Sequence, residues 1–371
     1  MVVTPWEVKG SVDYDRLIRE FGISPIDDRI LEKIEDLVGE VHYMLRRGIF
    51  FAHRDLDWVL NEYEKGNKFF LYTGRAPSGK THIGHLIPWM FTKWLQDKFD
   101  VELWFQFPDE EKFLTKQNLS LEEVQRMTYD NMLDVIAIGF DPEKTHFLID
   151  TKHAGIMYKE AVKVAKRITF STVKAVFGFT NEQNIGAIFY TAMQAVPAFL
   201  PNVLNNTKRP CLIPHAVDQD PHFRISRDVI PKLGYPKPAS VQCKFLPSLK
   251  GMEEGKMSSS LGDEYTVYTT DDPKTVKRKI MKYAFSGGRS TVEEHRRLGG
   301  IPEIDVSYQW LTFLEEDDKR LEEIYHKYKS GEMLTGELKQ ILIDKLNKML
   351  EEHQKRREKA KELVDEFIYG G

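Results

Sequence analysis

Apolar and polar positions follow two different periods along the chain, and each change of period predicts an element. Residues 68–73 form a short, mostly apolar run that ends in a Gly/Pro/Ser loop, which is typical of a buried strand. Apolar residues then recur at helical spacing from 83 to 95, so we predict a helix with one face against a sheet, in which Pro88 fits only near the start. Residues 101–107 predict the next strand. Strand, glycine loop, helix and strand make a βαβ unit, which indicates a parallel sheet.

The same patterns divide the rest of the chain. Residues 1–66 mix short polar and apolar stretches and are interpreted as an N-terminal extension. Residues 67–270 form the predicted α/β domain, with a helical, Ala/Phe/Met-rich insert at about 151–211. Residues 271–371 are almost entirely helical by periodicity, and their last helix could pack back on the α/β domain. Within this part, residues 351–361 are predicted to be a charged, solvated helical continuation.

Composition removes several classes of protein. The 371 residues are too many for one ordinary core, and no apolar run is long enough to span a membrane. The first residues lack the pattern of a secretory signal. Cys211 and Cys243 stand far apart, which favours two inert thiols in a reducing cytosol over a disulfide or a zinc site. A net charge of −4 means that any RNA contact needs a local basic surface.

The first candidate for chemistry is His82-Ile83-Gly84-His85, which follows the glycine-rich loop. A loop between strand and helix presents backbone N–H groups at a helix N-terminus, which suits phosphate. Gly84 would let a flat nucleoside approach the backbone, and both histidines can donate hydrogen bonds while uncharged. The alternative is that the histidines only cap the helix.

The second candidate is Lys256-Met257-Ser258-Ser259-Ser260. Glycines flank it at 251, 255 and 262, so the loop can move and bring Lys256 to negative charge that grows in the transition state. Ser258 and Ser260 add donors for phosphate. The alternative is an ordinary solvated Ser/Gly loop.

Together the two segments resemble the signature pair of class I aminoacyl-tRNA synthetases. Further runs extend the resemblance over essentially the whole chain, to tryptophanyl-tRNA synthetases of the archaeal and eukaryotic type. These runs are Thr4–Asp15, Tyr72–Arg75, Phe107–Lys112, Gln194–Pro197, Ala216–Pro221 and Ala284–Arg289. The resemblance implies a Rossmann-like catalytic domain, an N-terminal hairpin over the ATP site, an all-α anticodon-binding domain, a homodimer and a cytoplasmic location. It also implies that tryptophan is activated by ATP and then transferred to tRNA(Trp).

The resemblance implies a role for each of several residues. Tyr72 and Gln106 match positions that meet the indole N–H, whereas Glu111, Gln194 and Gln219 match those that hold the substrate ammonium and carboxylate. The implied ATP site comprises Thr73, Gly74, Arg75, His82, Gly84, His85, Lys112, Lys256, Met257, Ser258 and Ser260. Of these, His82, His85, Lys112, Lys256 and Ser258 are the expected catalytic residues. Mg²⁺ is expected to arrive on the phosphates, with few or no protein ligands, and no zinc is expected. Gln194 could instead be an ordinary exposed helix residue, and Gln106 a strand-edge residue.

Basic residues near 280 are the candidates for tRNA contact. Lys274, Lys277, Arg278, Lys279 and Lys282 precede Phe285, an aromatic ring that could stack on a base, and Arg289 follows. The alternative is a solvated helix face. Residues 151–210 suit the implied dimer interface, or else a core-packing segment.

Three other functions remain open from the sequence. A tyrosyl-tRNA synthetase shares the fold and both ATP motifs, but its pocket needs partners for a phenolic O–H. A small nucleotidyltransferase would not need the helical C-terminal domain. A synthetase-derived RNA-binding module without catalysis would not need His82, His85, Lys256 and Ser258.

Overall fold

A computed structural model describes residues 2–3, 8–9, 13–251, 255–258 and 261–370. The strands are β1 Val2–Val3, β2 Val8–Lys9, β3 Ser24–Pro25, β4 Phe50–Arg54, β5 Phe70–Gly74, β6 Leu103–Phe107, β7 Thr145–Ile149, β8 Cys211–Ala216 and β9 Ala239–Cys243. The first ten helices are α1 Tyr14–Phe21, α2 Asp28–Val38, α3 Tyr43–Arg46, α4 Leu56–Glu64, α5 Ile83–Phe99, α6 Asp109–Thr115, α7 Leu121–Ile136, α8 Ala154–Ala165, α9 Phe170–Phe177 and α10 Ile185–Met193. The remaining helices are α11 Leu200–Asn205, α12 Asp220–Val229, α13 Pro273–Tyr283, α14 Val292–Leu298, α15 Val306–Leu314, α16 Asp318–Ser330, α17 Thr335–Ala360 and α18 Val364–Phe367.

A seven-stranded sheet in the order β3-β4-β9-β8-β5-β6-β7 forms the centre of the molecule. The five strands from β9 to β7 are mutually parallel, and β4 and β3 continue the sheet in antiparallel pairing. The predicted α/β class with a mostly parallel sheet is therefore confirmed. The N-terminal extension contributes β3 and β4 to this sheet. β1 and β2 pair antiparallel with each other, as in the expected hairpin, whose residues 4–7 and 10–12 lie outside the described residues.

The sheet reverses its strand order at β5, and this is where a crevice opens. From β5 the chain proceeds through β6 to β7 on one side, and β8 and β9 lie on the other. The pairing of β5 with β8 ends at Leu71 and Leu212, before Pro214, which has no N–H to donate. Open parallel sheets bind their ligands at the carboxyl ends of the strands beside such a reversal.

Helix α5 follows β5 as predicted, but Pro88 lies farther into it than expected. The helix begins at Ile83, so Pro88 is its sixth residue, beyond the first turn. A proline there cannot donate to the carbonyl of Gly84, four residues earlier, and this carbonyl belongs to a residue on the cavity wall. The hydroxyl of Thr92 donates to the Pro88 carbonyl at 2.7 Å.

The C-terminal part is helical, as predicted, and it returns to the sheet. Helix α17 packs on α13, α15 and α7, and Ile368 forms a parallel bridge with Phe147 of β7. The N–H of Tyr369 donates to the Phe147 carbonyl at 3.1 Å. The prediction that residues 351–361 are solvated is wrong for His353 and Ala360, which are buried, and for Arg357, whose Nε lies 3.3 Å from Asp134 of α7. Nε2 of His353 lies 2.9 Å from the same carboxylate, so Asp134 is a polar partner for both side chains.

Candidate functional site

A cavity of about 340 Å³ occupies the crevice at the carboxyl ends of the parallel strands. It brings together residues that are far apart in the sequence. The predicted site residues that line it are Tyr72, Thr73, Gly74, Arg75, His82, Gly84, His85, Gln106, Glu111, Lys112, Gln194, Gln219, Lys256, Met257 and Ser258. Ser260 lies outside the described residues. The two segments on which the phosphate prediction rested therefore face one space.

The two histidines lie at the N-terminus of α5, on the cavity wall. His82 precedes the helix, and its backbone N–H donates to Nδ1 of His85 at 3.2 Å. The rings stack with centroids 3.6 Å apart. Gly84 leaves the space that this arrangement needs, because a Cβ there would lie 3.1 Å from Nδ1 of His82. Capping and substrate contact are thus compatible, since Nδ1 of His82 has no hydrogen-bond partner among the described residues.

Burial keeps both histidines uncharged. Burial, together with the positive charges of Arg75 and Lys256, lowers the pKa of His82 to about 3. Burial and the same cations also hold the pKa of His85 well below its usual value. A neutral imidazole can still donate one hydrogen bond, so the pair suits phosphate oxygens without adding charge.

Lys256 is held by a carboxylate that the sequence reasoning did not assign. Its Nζ lies 2.5 Å from Oδ2 of Asp218, and the other oxygen of this buried carboxylate has no hydrogen-bond partner among the described residues. The flanking glycines at 251, 255 and 262 have φ of 105°, 83° and 106°, which non-glycine residues rarely adopt. Asp218 was visible only as part of the run 216–221, where nothing local pairs it with a lysine 38 residues later.

Arg75 also has a partner that the sequence did not reveal. Its Nε donates to Oδ1 of Asn131, on α7, at 2.6 Å, and burial lowers the pKa of the Arg75 guanidinium to about 10. The N–H of Ser78 also donates to Asn131 Oδ1, at 3.3 Å, and Asn131 Nδ2 donates to the carbonyl of Gly79 at 3.1 Å. One amide side chain therefore fixes both Arg75 and the glycine loop.

A hydrogen-bonded aromatic pocket forms another part of the cavity. The hydroxyl of Tyr72 donates to Oε1 of Gln106 at 2.6 Å, and Nε2 of Gln194 donates to the Tyr72 oxygen at 3.1 Å. Gln106 is not at a strand edge, because β6 lies between β5 and β7. Gln194 is only partly exposed and belongs to this network.

Tyr190, which the sequence did not reveal, connects Glu111 with Gln194 in this pocket. Its hydroxyl lies 3.2 Å from Oε2 of Glu111 and is hydrogen bonded to Oε1 of Gln194. Lys112 Nζ lies 3.5 Å from the same Glu111 carboxylate. Gln219 lies at the start of α12, on the cavity wall. A small zwitterion would therefore meet an anionic group and amide groups in this part of the cavity.

The candidate tRNA contacts lie away from the cavity, on and after α13. Lys277 and Arg278 are exposed, and Phe285 exposes about half of its surface, 49%. Arg289 is exposed, with Nε donating to the carbonyl of Gly299 at 2.9 Å. The expectation of a basic surface is wrong for Lys279, which is buried because its ammonium pairs with Asp271 at 2.7 Å.

The described residues contain no group of three or more His, Cys, Asp or Glu side chains that could hold a metal ion. No helix among them has the length and apolar character needed to cross a membrane. Cys211 and Cys243 are both buried and free.

Several known proteins with similar sequences are tryptophan–tRNA ligases. The family of class I tRNA synthetases for tryptophan and tyrosine (W and Y) matches residues 64–351. The tryptophan–tRNA ligase of Saccharolobus solfataricus is 56% identical over 370 residues, covering 100% of this chain and 95% of that protein. The tryptophan–tRNA ligase of Pyrococcus horikoshii is 50% identical over 371 residues, covering 100% and 94%.

Solved structures agree with this likeness. The tryptophanyl-tRNA synthetase of Plasmodium falciparum superposes with a TM-score of 0.89 at 44% identity, covering 94% of each chain. That of Encephalitozoon cuniculi, bound to tryptophan, has a TM-score of 0.89 at 34% identity, covering 97% of this chain and 99% of that one.

Proposed function

Because the chain belongs to the class I tryptophanyl-tRNA synthetases of archaeal type and is a tryptophan–tRNA ligase, we propose which residues of its cavity bind each part of the substrates. Tyr72 and Gln106 bind the indole, and Glu111, Gln194 and Gln219 bind the ammonium and carboxylate. The observation that carries this proposal is that all five line the same cavity as both phosphate segments. A tyrosyl-tRNA synthetase and a module without catalysis are not supported, since the relatives cited are tryptophan–tRNA ligases over their full length.

Recognition of the indole follows from its chemistry. Tryptophan offers one polar side-chain atom, an N–H donor, so the pocket needs a fixed acceptor in an apolar setting. Oε1 of the fully buried Gln106 is such an acceptor, because a carbonyl oxygen has two lone pairs and the Tyr72 hydroxyl uses only one of them. Phenylalanine would offer no hydrogen-bond donor to Oε1 of Gln106, and tyrosine would bring its hydroxyl to a different place.

Activation joins the tryptophan carboxylate to the α-phosphorus of ATP. One carboxylate oxygen bonds to that phosphorus while its bond to the bridging oxygen of pyrophosphate breaks, and pyrophosphate leaves with the electron pair. The carboxylate is ionised already, so no general base is required. Arg75, Lys112 and Lys256, together with the neutral donors of His82 and His85, stabilise charge on the phosphates. The backbone at Thr73, Gly74 and Gly84, with Met257 and Ser258, completes the ATP site.

Mg²⁺ would accompany ATP through the phosphates rather than occupy a protein site of its own. Mg²⁺ prefers oxygen ligands and often keeps several waters beside substrate phosphates instead of an all-protein cage. When bound, it would neutralise phosphate charge, a role that adds to that of Lys256.

Two macromolecular contacts complete the proposal. tRNA(Trp) contacts the helical C-terminal part at Lys277, Arg278, Phe285 and Arg289. The protein acts in the cytoplasm, where this tRNA is found. A homodimer forms through the insert, whose α8–α10 region exposes large apolar side chains. These include Tyr158, Val162, Phe170 and Ile185, and Ile185 is 84% exposed.

The assignment of the amino-acid pocket can be tested by ATP–pyrophosphate exchange with tryptophan, tyrosine and phenylalanine. Gln106→Leu should lower kcat/KM for tryptophan most and narrow its advantage over the other two. Glu111→Gln should lower all three alike, because the ammonium group is common to them. If Gln106→Leu keeps the full tryptophan preference, the indole does not bind where we place it.

A further inference from the structure

Gln106 has a second contact, on the side of its amide away from Tyr72. Its Nε2 lies 2.7 Å from Oδ2 and 3.0 Å from Oδ1 of Asp150. Asp150 directly follows β7, and its own N–H donates to the carbonyl of Phe107 in β6 at 3.2 Å. Gln106 is opposite Leu148 in the parallel pair, so Asp150, two residues farther on, lies on the same face of the sheet. The contact is therefore built by the strand register.

The contact decides which end of the Gln106 amide faces the pocket. A glutamine side chain ends in an oxygen acceptor on one side and a nitrogen donor on the other, and the two orientations have nearly the same shape. With Nε2 against the Asp150 carboxyl, Oε1 points to the Tyr72 hydroxyl. The reversed amide would place Oε1 against two carboxyl oxygens and offer the indole N–H another donor.

Asp150 and its neighbour Glu110 are buried carboxyl groups whose pKa values are both raised. Burial raises the pKa of Asp150 well above its usual value, and the negative charge of Glu110 raises it further. The direction of this shift favours the protonated carboxyl of Asp150, which has one hydroxyl and one carbonyl oxygen. The Asp150 carbonyl oxygen remains free to accept from Nε2, and a buried negative charge is avoided.

We propose that Asp150 is a positioning residue for tryptophan specificity, which acts by holding the Gln106 amide with its oxygen toward the indole N–H. It does not touch the substrate. The inference rests on the proposed role of Gln106 in binding the indole.

The test compares tryptophan with β-(benzothiophen-3-yl)alanine, in which sulfur replaces the indole N–H. In ATP–pyrophosphate exchange, Asp150→Ala should lower kcat/KM for tryptophan by about 5- to 100-fold, the usual range for disturbing a buried hydrogen bond. The same variant should change kcat/KM for the sulfur analogue much less, since that substrate has no N–H to present. Asp150→Asn should largely restore tryptophan use, because its carbonyl can accept from Gln106 and its N–H₂ can donate to Glu110. An equal loss with both substrates, no loss with either, or an Asp150→Asn as damaging as Asp150→Ala would overturn the proposal.

Three further variants separate the explanations. Asp305→Asn is a matched control, since this buried carboxylate accepts from the Gly287 N–H at 2.8 Å and the Tyr328 hydroxyl at 2.7 Å in the C-terminal part. It should lower stability and leave the ratio between the two substrates unchanged. Gln106→Leu should reduce tryptophan use selectively. If it harms both substrates alike, the proposed role of Gln106 fails, whereas if only Asp150→Ala lacks selectivity, the present inference alone fails.

Should Asp150→Ala not fold, the double variant Gln106→Leu/Asp150→Leu replaces both partners by apolar groups of similar size, which proteins tolerate better than one unpaired partner. It should show the same substrate ratio as Gln106→Leu. A further change in that ratio would show that Asp150 acts by another route and would overturn the proposal.

Discussion

Replacing Lys256 by alanine tests whether its loop supplies a charge that matters mainly in the transition state. The Lys256 ammonium lies 2.5 Å from Asp218, which holds it at the cavity wall. ATP brings phosphate oxygens that compete for it, and their negative charge grows as pyrophosphate begins to leave. Lys256→Ala should therefore slow adenylate formation and leave the affinity for tryptophan nearly unchanged.

This substitution has two effects. Loss of one donor that stabilises transition-state charge commonly lowers the rate by about 100- to 1000-fold. Because the Asp218 side chain is only 4% exposed, the variant also leaves a buried carboxylate without its cation, and we expect a stability loss of roughly 3 kcal/mol. The rate effect corresponds to about 3–4 kcal/mol of transition-state stabilisation, which is similar in size to the loss of stability, so the rate must be measured on protein shown to be folded.

The measurement is single-turnover formation of tryptophanyl-adenylate by rapid quench, together with tryptophan binding at equilibrium. Lys250→Ala is the matched control, because Lys250 precedes the same glycine-flanked segment and lies over Tyr265, 4.1 Å from the ring centroid, rather than on the cavity wall. It should keep the wild-type rate. A rate within about fivefold of wild type for Lys256→Ala, well short of the loss expected for such a donor, would refute the role given to Lys256.

Three other predictions follow from the site and its surroundings. His82→Ala and His85→Ala should each depress ATP–pyrophosphate exchange in a folded protein, and a loss of melting temperature with normal exchange would leave them only a capping role. Because the pKa of His82 is lowered to about 3 in the folded protein, the unfolded chain binds more protons than the folded one below about pH 6.5. The contribution of His82 to stability is therefore complete above that pH and is lost as the pH falls toward 3. At pH 5 the loss from this residue should be about 2 kcal/mol. The free energy of unfolding, measured with urea at pH 7.5 and at pH 5, should therefore differ less in His82→Asn than in the wild type. An equal difference in both proteins would contradict a lowered pKa at His82. The double variant Lys277→Ala/Arg278→Ala should raise the KM for tRNA without changing ATP–pyrophosphate exchange, and a tRNA affinity equal to that of the wild type would exclude contact by these residues. Lys279→Ala should instead lower stability, because Asp271 loses its partner.

The fold was predictable where the pattern was local. The unit from β5 to β6 followed from an apolar run, a glycine loop and a helical stripe, and all three are in the structure. The antiparallel extension of the sheet was not predictable, because β3 has two residues and β4 pairs with β9, almost 190 residues later. Such pairing depends on long-range packing, for which a short apolar run carries no signal.

The sequence predicted residues that line the cavity, but not the residues that hold those side chains in place. Histidine, lysine and glycine at set spacings carry recognisable chemistry, so the phosphate segments could be named before their geometry was known. Asn131, Asp150 and Asp218 are instead polar residues within ordinary helix, strand-end and loop sequences. Asn131 gains its role only because another element brings Arg75 beside it, and Asp218 only because the chain brings Lys256 beside it. Asp150 meets Gln106 through the strand register.

The charge distribution in the cavity also sets the direction in which an amino acid can bind. Arg75 and Lys256 lie close enough to the two histidines to lower their pKa. In the aromatic pocket, burial raises the pKa of the Tyr190 hydroxyl and the negative charge of Glu111 raises it further. A zwitterion is therefore favoured with its ammonium toward Glu111 and its carboxylate toward the cations, where we propose that the phosphates bind. The reverse orientation would bring like charges together at both ends, so the electrostatics that bind the substrate also direct its carboxylate to the reacting phosphorus.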